Sequence, residues 1–409
     1  MTVLESIKNR LSGVSNNGKI IIGVVIVLVV LVIIIVPIVI SKSSHLASPS
    51  TVASTKKDRI GSLTKIIEPI VGKKKNLYEL PGLPDNMSLL LNYNLIGCRL
   101  SGYLDPLQDG VFAEEDAVRL ALNAGCRLFI LEISNDTNGN PALVARDSTG
   151  IKRSLNNGSI NKVCTALSGA ERGSDPIIVV LYFNNTPNKT TEPEKYLTFL
   201  SQVARALEPL NTTHIGLTSV GDFTRQKKAN ELFTFAPEFY KQKTIILCNA
   251  DTSSFRNPGQ LGVTRKFLPA EDLDFLVHAR ISKPDGVGIM GVTETVPGSK
   301  IQIVDDSYLL LTPPDKVASA VDTIRNTFTI VMKRDPAYVP SKDVSKILFE
   351  TYGVNCTPVC MNALAVNKSV STYTPKNQPL RFIKPAPIVP TVPNRKLDAN
   401  GGSVITPKL

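Results

Sequence analysis

From about Leu80 onward, short apolar runs of strand length alternate with amphipathic stretches of helix length. The strand-like runs are 91–97 (LNYNLIG), 126–134 (CRLFILEIS), 141–146 (PALVAR), 176–183 (PIIVVLYF), 213–219 (THIGLTS), 243–250 (KTIILCNA), 328–333 (FTIVMK) and 356–361 (CTPVCM). Helix patterns lie between several of them. Residues 113–125 have acids in the first turn and Gly125 at the end, and 192–207 keep one apolar face. Strand-then-helix order predicts an α/β fold with a parallel sheet and helices outside it. A strand count near eight favours a closed (β/α)8 TIM-type barrel over an open doubly wound sheet.

Upstream the pattern changes. Residues 20–40 (IIIGVVIVLVVLVIIIVPIVI) carry no charge over twenty-one positions, enough at about 1.5 Å per residue to cross about 30 Å of hydrocarbon. The run is too long for the apolar part of a cleavable signal, so it predicts one transmembrane anchor. Residues 1–19 form a short tail before it. Residues 41–79, rich in Ser, Thr and Lys, read as a flexible basic stalk without apolar periodicity. The folded region is expected over 80–374. The tail 375–409, with Pro379, Pro385, Pro387, Pro390 and Pro393, cannot build a core, although 379–385 could lie across the outside of the barrel.

Composition adds the distribution of charge. The net +11 sits at the ends: residues 1–75 hold eleven Lys/Arg against three acids, and 376–409 hold six against one. The body between them is close to neutral, which argues against a nucleic-acid groove and suits an anionic membrane surface better. Cations flank the apolar run on both sides, so they do not set its orientation. Eight Asn-x-Ser/Thr triplets, at Asn86, Asn135, Asn157, Asn184, Asn188, Asn211, Asn355 and Asn367, lean towards a non-cytosolic barrel.

Candidate chemistry is sparse. Six cysteines do not make a disulfide framework in a domain of this size, and Cys356-x-x-x-Cys360 has no nearby histidine to complete a metal site. No metal or other cofactor is expected. Of three histidines, His45 is in the stalk, His214 begins a strand run, and His278 in DLDFLVHARIS reads as a structural residue of a helix. There is no Walker loop, no dinucleotide-binding glycine fingerprint, no zinc-protease helix and no nucleophile elbow. Polar residues at strand ends are the informative ones, because barrel sites form there. They are Arg99 and Tyr103, Glu132 and Ser134, Arg146 and Asp147, Tyr182 and Asn184, Asn249 and Asp251, and Lys333 and Arg334. Arginines and a lysine in such a ring can hold a phosphate.

The ordered set YNLIGCRLSGYL, NAGCRLFILEIS, NPALVARDSTG and DPIIVVLYFNN resembles the X-box of phosphatidylinositol-specific phospholipase C over about residues 88–190. KTIILCNA and YGVNCTPVCM resemble later strands of that barrel. With AEDLDFLVHARIS and PLRFIKPAP, the set also looks like a branch of phospholipase-C-like proteins from large DNA viruses. The resemblance implies a PLC-like phosphodiesterase barrel, that is, a phosphoric diester hydrolase fold of lipid metabolism.

The departures bear on activity. Aligning Tyr103-Leu104 puts Leu100 at the family's first catalytic histidine, with Arg99 beside it. Aligning Pro141 puts Ala145 at the second, followed by Arg146. The family uses that pair as general base and acid, and neither leucine nor alanine can move a proton. Of the calcium ligands, Ile130 and Tyr182 replace acids and only Glu132 survives, too few oxygens for a calcium site. The expectation is a membrane-anchored pseudoenzyme binding a phosphorylated headgroup or a protein partner through Arg99, Arg146, Tyr182, Asn249 and Lys333. One alternative is an active diesterase with Glu132 or Asp147 as base, with calcium entering only in that case. Another is a structural viral membrane protein.

Overall fold

The computed structural model describes residues 47–376 apart from 72, 80–82, 85–86, 212, 215–231, 283–299 and 366–370, together with two short strands at Arg395–Leu397 and Ser403–Ile405. The anchor expected at 20–40 and the segment 379–385 lie outside the described residues. Among the described residues no helix is long and apolar enough to cross a membrane.

The strand runs form because apolar residues occupy both faces, as parallel strands covered on both sides require. β1 (Gly97–Cys98), β2 (Leu128–Asn135), β4 (Ile177–Phe183), β5 (Thr244–Cys248) and β6 (Ala279–Arg280) pair in that order, all parallel. β7 (Ile301–Val304) and β8 (Phe328–Val331) form a second parallel ladder. Single parallel bridges join Ser282 to Gln302, Ile330 to Cys356 and Val359 to Cys98.

Two apolar cores result from the period-2 alternation of side chains. Leu128 and Ile130 of β2, Ile178, Val180 and Tyr182 of β4, and Ile245 and Leu247 of β5 share an inner cluster with Ile303, Ile330 and Cys356. Their alternate neighbours Phe129, Leu131, Val179, Leu181 and Ile246 pack outward against the helices. At the seam, a Cβ on Gly97 would run into the Cys356 sulfur and come within 3.0 Å of Pro358 Cβ, so only bare backbone fits there. The N-terminal end of the strands is covered by Leu89, Leu90, Leu91, Tyr93 and Tyr373, with the Tyr373 hydroxyl donating to the Pro176 carbonyl at 3.0 Å.

The helices follow their local signals. Glu114, Glu115 and Asp116 open α2 (Glu114–Asn123), and Gly125 ends its turn at φ +92°. Pro193 stands at the start of α4 (Pro193–Ala206), where its missing N–H costs nothing. α3 is Ile160–Gly169, capped by Ser159.

Several expectations change. The stalk holds a helix, α1 (Pro49–Ile67), capped by Ser48 and burying Leu63 and Ile67. Ile60, Leu63 and Ile67 stand at i, i+3 and i+7, a one-sided apolar stripe confined to its last turns amid Ser, Thr and Lys. The run 141–146 is not a member of the parallel order: β3 (Pro141–Leu143) folds back antiparallel on β2. Of 213–219 only Thr213 and His214 are described, His214 bridging Thr244. His278 is not helical, since the helix stops at Leu276 and His278 enters β6, itself unrecognised in the sequence, as was β7. Asn355 is fully buried: its amide donates to the Leu91 and Tyr93 carbonyls and accepts from Thr329 N. That triplet cannot carry a glycan in the folded chain. All six cysteines are buried and free.

Candidate functional site

At the C-terminal ends of the strands, alternation decides which side chains face inward. Gly97 of β1 and Arg99, just past its end, take the inward positions, while Leu100, at φ +50°, turns into the outer core. Ala145 is likewise buried in the outer core, and it is Arg146 that reaches Ser134 on the inner face of β2, Nε to Oγ 3.4 Å. The inward side chains at this end of the strands thus include the two arginines, each one residue beside the positions aligned with the histidines of the resemblance.

Arg99 and Glu132 meet. Arg99 Nε donates to Glu132 Oε1 at 2.6 Å, and both side chains are almost wholly buried. The rest of the guanidinium turns to the backbone, with Nη1 donating to the carbonyls of Lys333 (2.5 Å) and Asp335 (3.1 Å) and Nη2 lying 3.4 Å from that of Arg334. Asn184 Nδ2 donates to the second oxygen of Glu132 at 3.1 Å. Burial pulls the Arg99 pKa down, but the charge and hydrogen bond of Glu132 outweigh it and hold the guanidinium above its ordinary range. Tyr182 is buried beside them, its phenol pushed up first by burial and then by the Glu132 charge.

The other candidates go elsewhere. Lys333 presents only its carbonyl to Arg99; its ammonium is held by Asp305 Oδ1 at 2.9 Å and by Asp306, and those two acids keep it protonated despite partial burial. Tyr338 donates to Asp306 Oδ2 at 2.5 Å. The void shared by Arg99 and Lys333 is about 10 Å³, room for one water and far short of a headgroup. Asn249 is structural, its amide accepting from Phe183 N at 2.7 Å and donating to Phe183 O at 3.2 Å. Asp251 accepts from Arg280 Nη1 at 2.9 Å and from Ser253, and pairs with Lys189. Tyr103 donates to the carbonyls of Pro106 and Leu107.

Asp147 does not suit a base. It accepts from Thr149 and Ile151 and from Arg153 Nε at 2.6 Å, bonds that outweigh desolvation and lower its pKa to about 2. The two described histidines stack on each other, ring centroids 4.2 Å apart, at the opposite end of the strands. His278 accepts from Ile246 N at 2.8 Å, and His214 Nε2 lies 2.6 Å from the Leu276 carbonyl. Burial lowers both, His214 to about 4, so they stay neutral near pH 7 and do not reach the mouth. Among the described residues no cluster of side chains could hold a metal ion.

Sequence reading missed Asp305, Asp306, Arg280 and Lys189, the groups that consume the candidate cations and acid. The signal for the first two was present: IQIVDD is an alternating apolar run followed at once by acids.

No family model and no curated protein matches the chain. Among solved structures it is similar to PLC21 of S. officinalis (12% identical, covering 72% of this chain and 39% of that one, TM-score 0.45). It is also similar to PLC21 of L. pealei (11% identical, 71% and 38%, TM-score 0.43). A third likeness is the Ca2+-dependent phosphatidylinositol-specific phospholipase C of Streptomyces antibioticus (13% identical, 71% and 100%, TM-score 0.43). The chain thus spans about two fifths of the length of the two PLC21 chains.

Proposed function

We propose that the protein is a membrane-anchored, catalytically silent barrel of the PLC-like phosphodiesterase kind, retained as a scaffold that binds a phosphorylated headgroup. The barrel reading is supported by parallel pairing that returns to β1 through the bridges at Ser282, Ile330 and Val359. The membrane reading rests on the uncharged run 20–40. The observation that carries the loss of catalysis is the buried Arg99–Glu132 pair. It fills the inward positions at the mouth with a fixed cation, which cannot act as a base near neutral pH. It also occupies Glu132, the one acid left from the resemblance, so that carboxylate is not free to accept a proton.

The test is turnover by the full chain in detergent micelles containing phosphatidylinositol, with and without calcium, between about pH 5 and 9, the range in which general acid–base groups work. The expected result is no inositol phosphate. Turnover that disappears in Glu132→Gln would replace the scaffold by a diesterase using a carboxylate base.

A further inference from the structure

Beyond β3, the hairpin returning from β2 is pinned again where Arg146 and Lys152 face each other in an isolated antiparallel bridge. Arg153 N donates to the Ala145 carbonyl at 2.8 Å and Asp147 N to the Ile151 carbonyl at 2.9 Å. These bonds bracket the Arg146–Lys152 pair and make it a non-hydrogen-bonded one, the type whose opposed residues come closest, about 4.5 Å between Cα atoms, with side chains on one face.

Two like charges directly opposite each other repel, and here each is half-buried, which removes part of the water that would screen them. The acid that could neutralise them is the next residue, Asp147, but alternation sends it to the other face, where Arg153 takes it. Among the described residues neither Arg146 nor Lys152 pairs with a carboxylate. Arg146 finds only neutral oxygens, Gly150 O at 2.8 Å and Ser134 Oγ at 3.4 Å. Burial lowers the pKa of both cations, and the charge of Arg146 lowers that of Lys152 further.

We propose that Arg146 and Lys152 form a binding site for a phosphate dianion, inorganic phosphate or a phosphomonoester headgroup, at the mouth of the barrel. A dianion matches the two positive charges, and the guanidinium fork with a neighbouring ammonium can engage several oxygens of one tetrahedral group. Arg99 and Lys333 are not part of it, because internal carboxylates hold them. The site gives the headgroup-binding half of the scaffold reading a location and rests on that reading for its biological setting, while catalysis is not involved.

The experiment is isothermal titration of inorganic phosphate into the full chain in phosphatidylcholine micelles, then in micelles doped with phosphatidic acid. Saturable heat with a Kd of about 1 mM or tighter is expected in the first. Its loss in the second identifies a lipid headgroup as occupant, and its retention identifies the free anion; either supports the site. Arg146→Ala and Lys152→Ala should each weaken binding about tenfold or more. Lys152→Arg should retain binding, and Lys162→Ala on the outer helix α3 should leave it unchanged. Far-UV circular dichroism reports that each variant is folded. The proposal is overturned by absence of saturable heat, or by heat that survives both alanine substitutions. Turnover in the diesterase assay would sink the silent-scaffold reading without touching this site, and failed phosphate binding without turnover would do the reverse.

Discussion

Replacing Arg99 by methionine tests the arrangement at the mouth most directly. At 2.6 Å the gross attraction between Arg99 and Glu132 is about 6 kcal/mol at an effective dielectric constant near 20. Taking both charges out of water offsets several kcal/mol of this, so the intact pair contributes little net stability. Removing one partner is different. Glu132, 3% exposed, would be left with Asn184 as its side-chain donor among the described residues, and the carbonyls of Lys333 and Asp335 would lose theirs. We expect Arg99→Met to cost about 3–5 kcal/mol. Arg99→Met/Glu132→Met should return to within about 1 kcal/mol of the natural chain, because apolar side chains of similar volume replace both charges. The coupling from the double-mutant cycle should therefore exceed about 2 kcal/mol. Since the chain has no tryptophan, urea unfolding is best followed by far-UV circular dichroism. An Arg99→Met cost below about 1 kcal/mol would mean that the pair is open to water, and the inference of a filled, silent mouth would fall with it.

Three further outcomes are expected. Gly97→Ala at the seam should destabilise by about 1–3 kcal/mol through the forced contact with Cys356 and Pro358, read as a lower urea midpoint; a neutral result would show that β1 and 356–359 are not packed as described. Lys376 is 3% exposed beside Asn355, and burial, with the Arg325 charge, lowers its pKa to about 7 from an unfolded value near 10.4. Between those values the unfolded state binds the extra proton, so this residue makes stability rise with pH across about 7 to 10; Lys376→Met should remove that rise, and parallel pH profiles for the two proteins would contradict it. Asp147, lowered to about 2, contributes stability above the unfolded value near 3.9 that is lost as pH falls through about 2. Its carboxyl carbon shift in NMR should titrate there, and a midpoint near 4 would show that the turn bonds do not persist in solution.

How much was legible in the sequence depends on the range of the interaction involved. β4 and β5 could be read because seven and five successive buried residues make an apolar run whatever packs on it. β6 was hidden: a two-residue ladder beside DLDFL carries no period of its own and exists because β5 lies next to it. PALVAR reads as a strand, but its pattern is the same whether the chain crosses over or turns back, so the antiparallel neighbour of β3 is not legible in it. The site behaved likewise. Arg99, Glu132 and Tyr182 stand at strand ends in the sequence and gather in the fold, but composition cannot say that Arg99 and Glu132 bond to each other, nor that Lys333 turns to Asp305 and Asp306.

By itself, the sequence determined the α/β alternation, the uncharged run at 20–40, the absence of histidine from the two aligned positions and the placement of charge at the chain ends. These depend on residue type and near-neighbour spacing, which the linear chain already contains. Only the tertiary structure decided that Arg99 rather than Leu100 faces inward, that Asp147 and Arg146 point to opposite faces, and that Arg99 and Glu132 neutralise each other. Those outcomes depend on strand register, and a slip of one residue would exchange every inward side chain for an outward one.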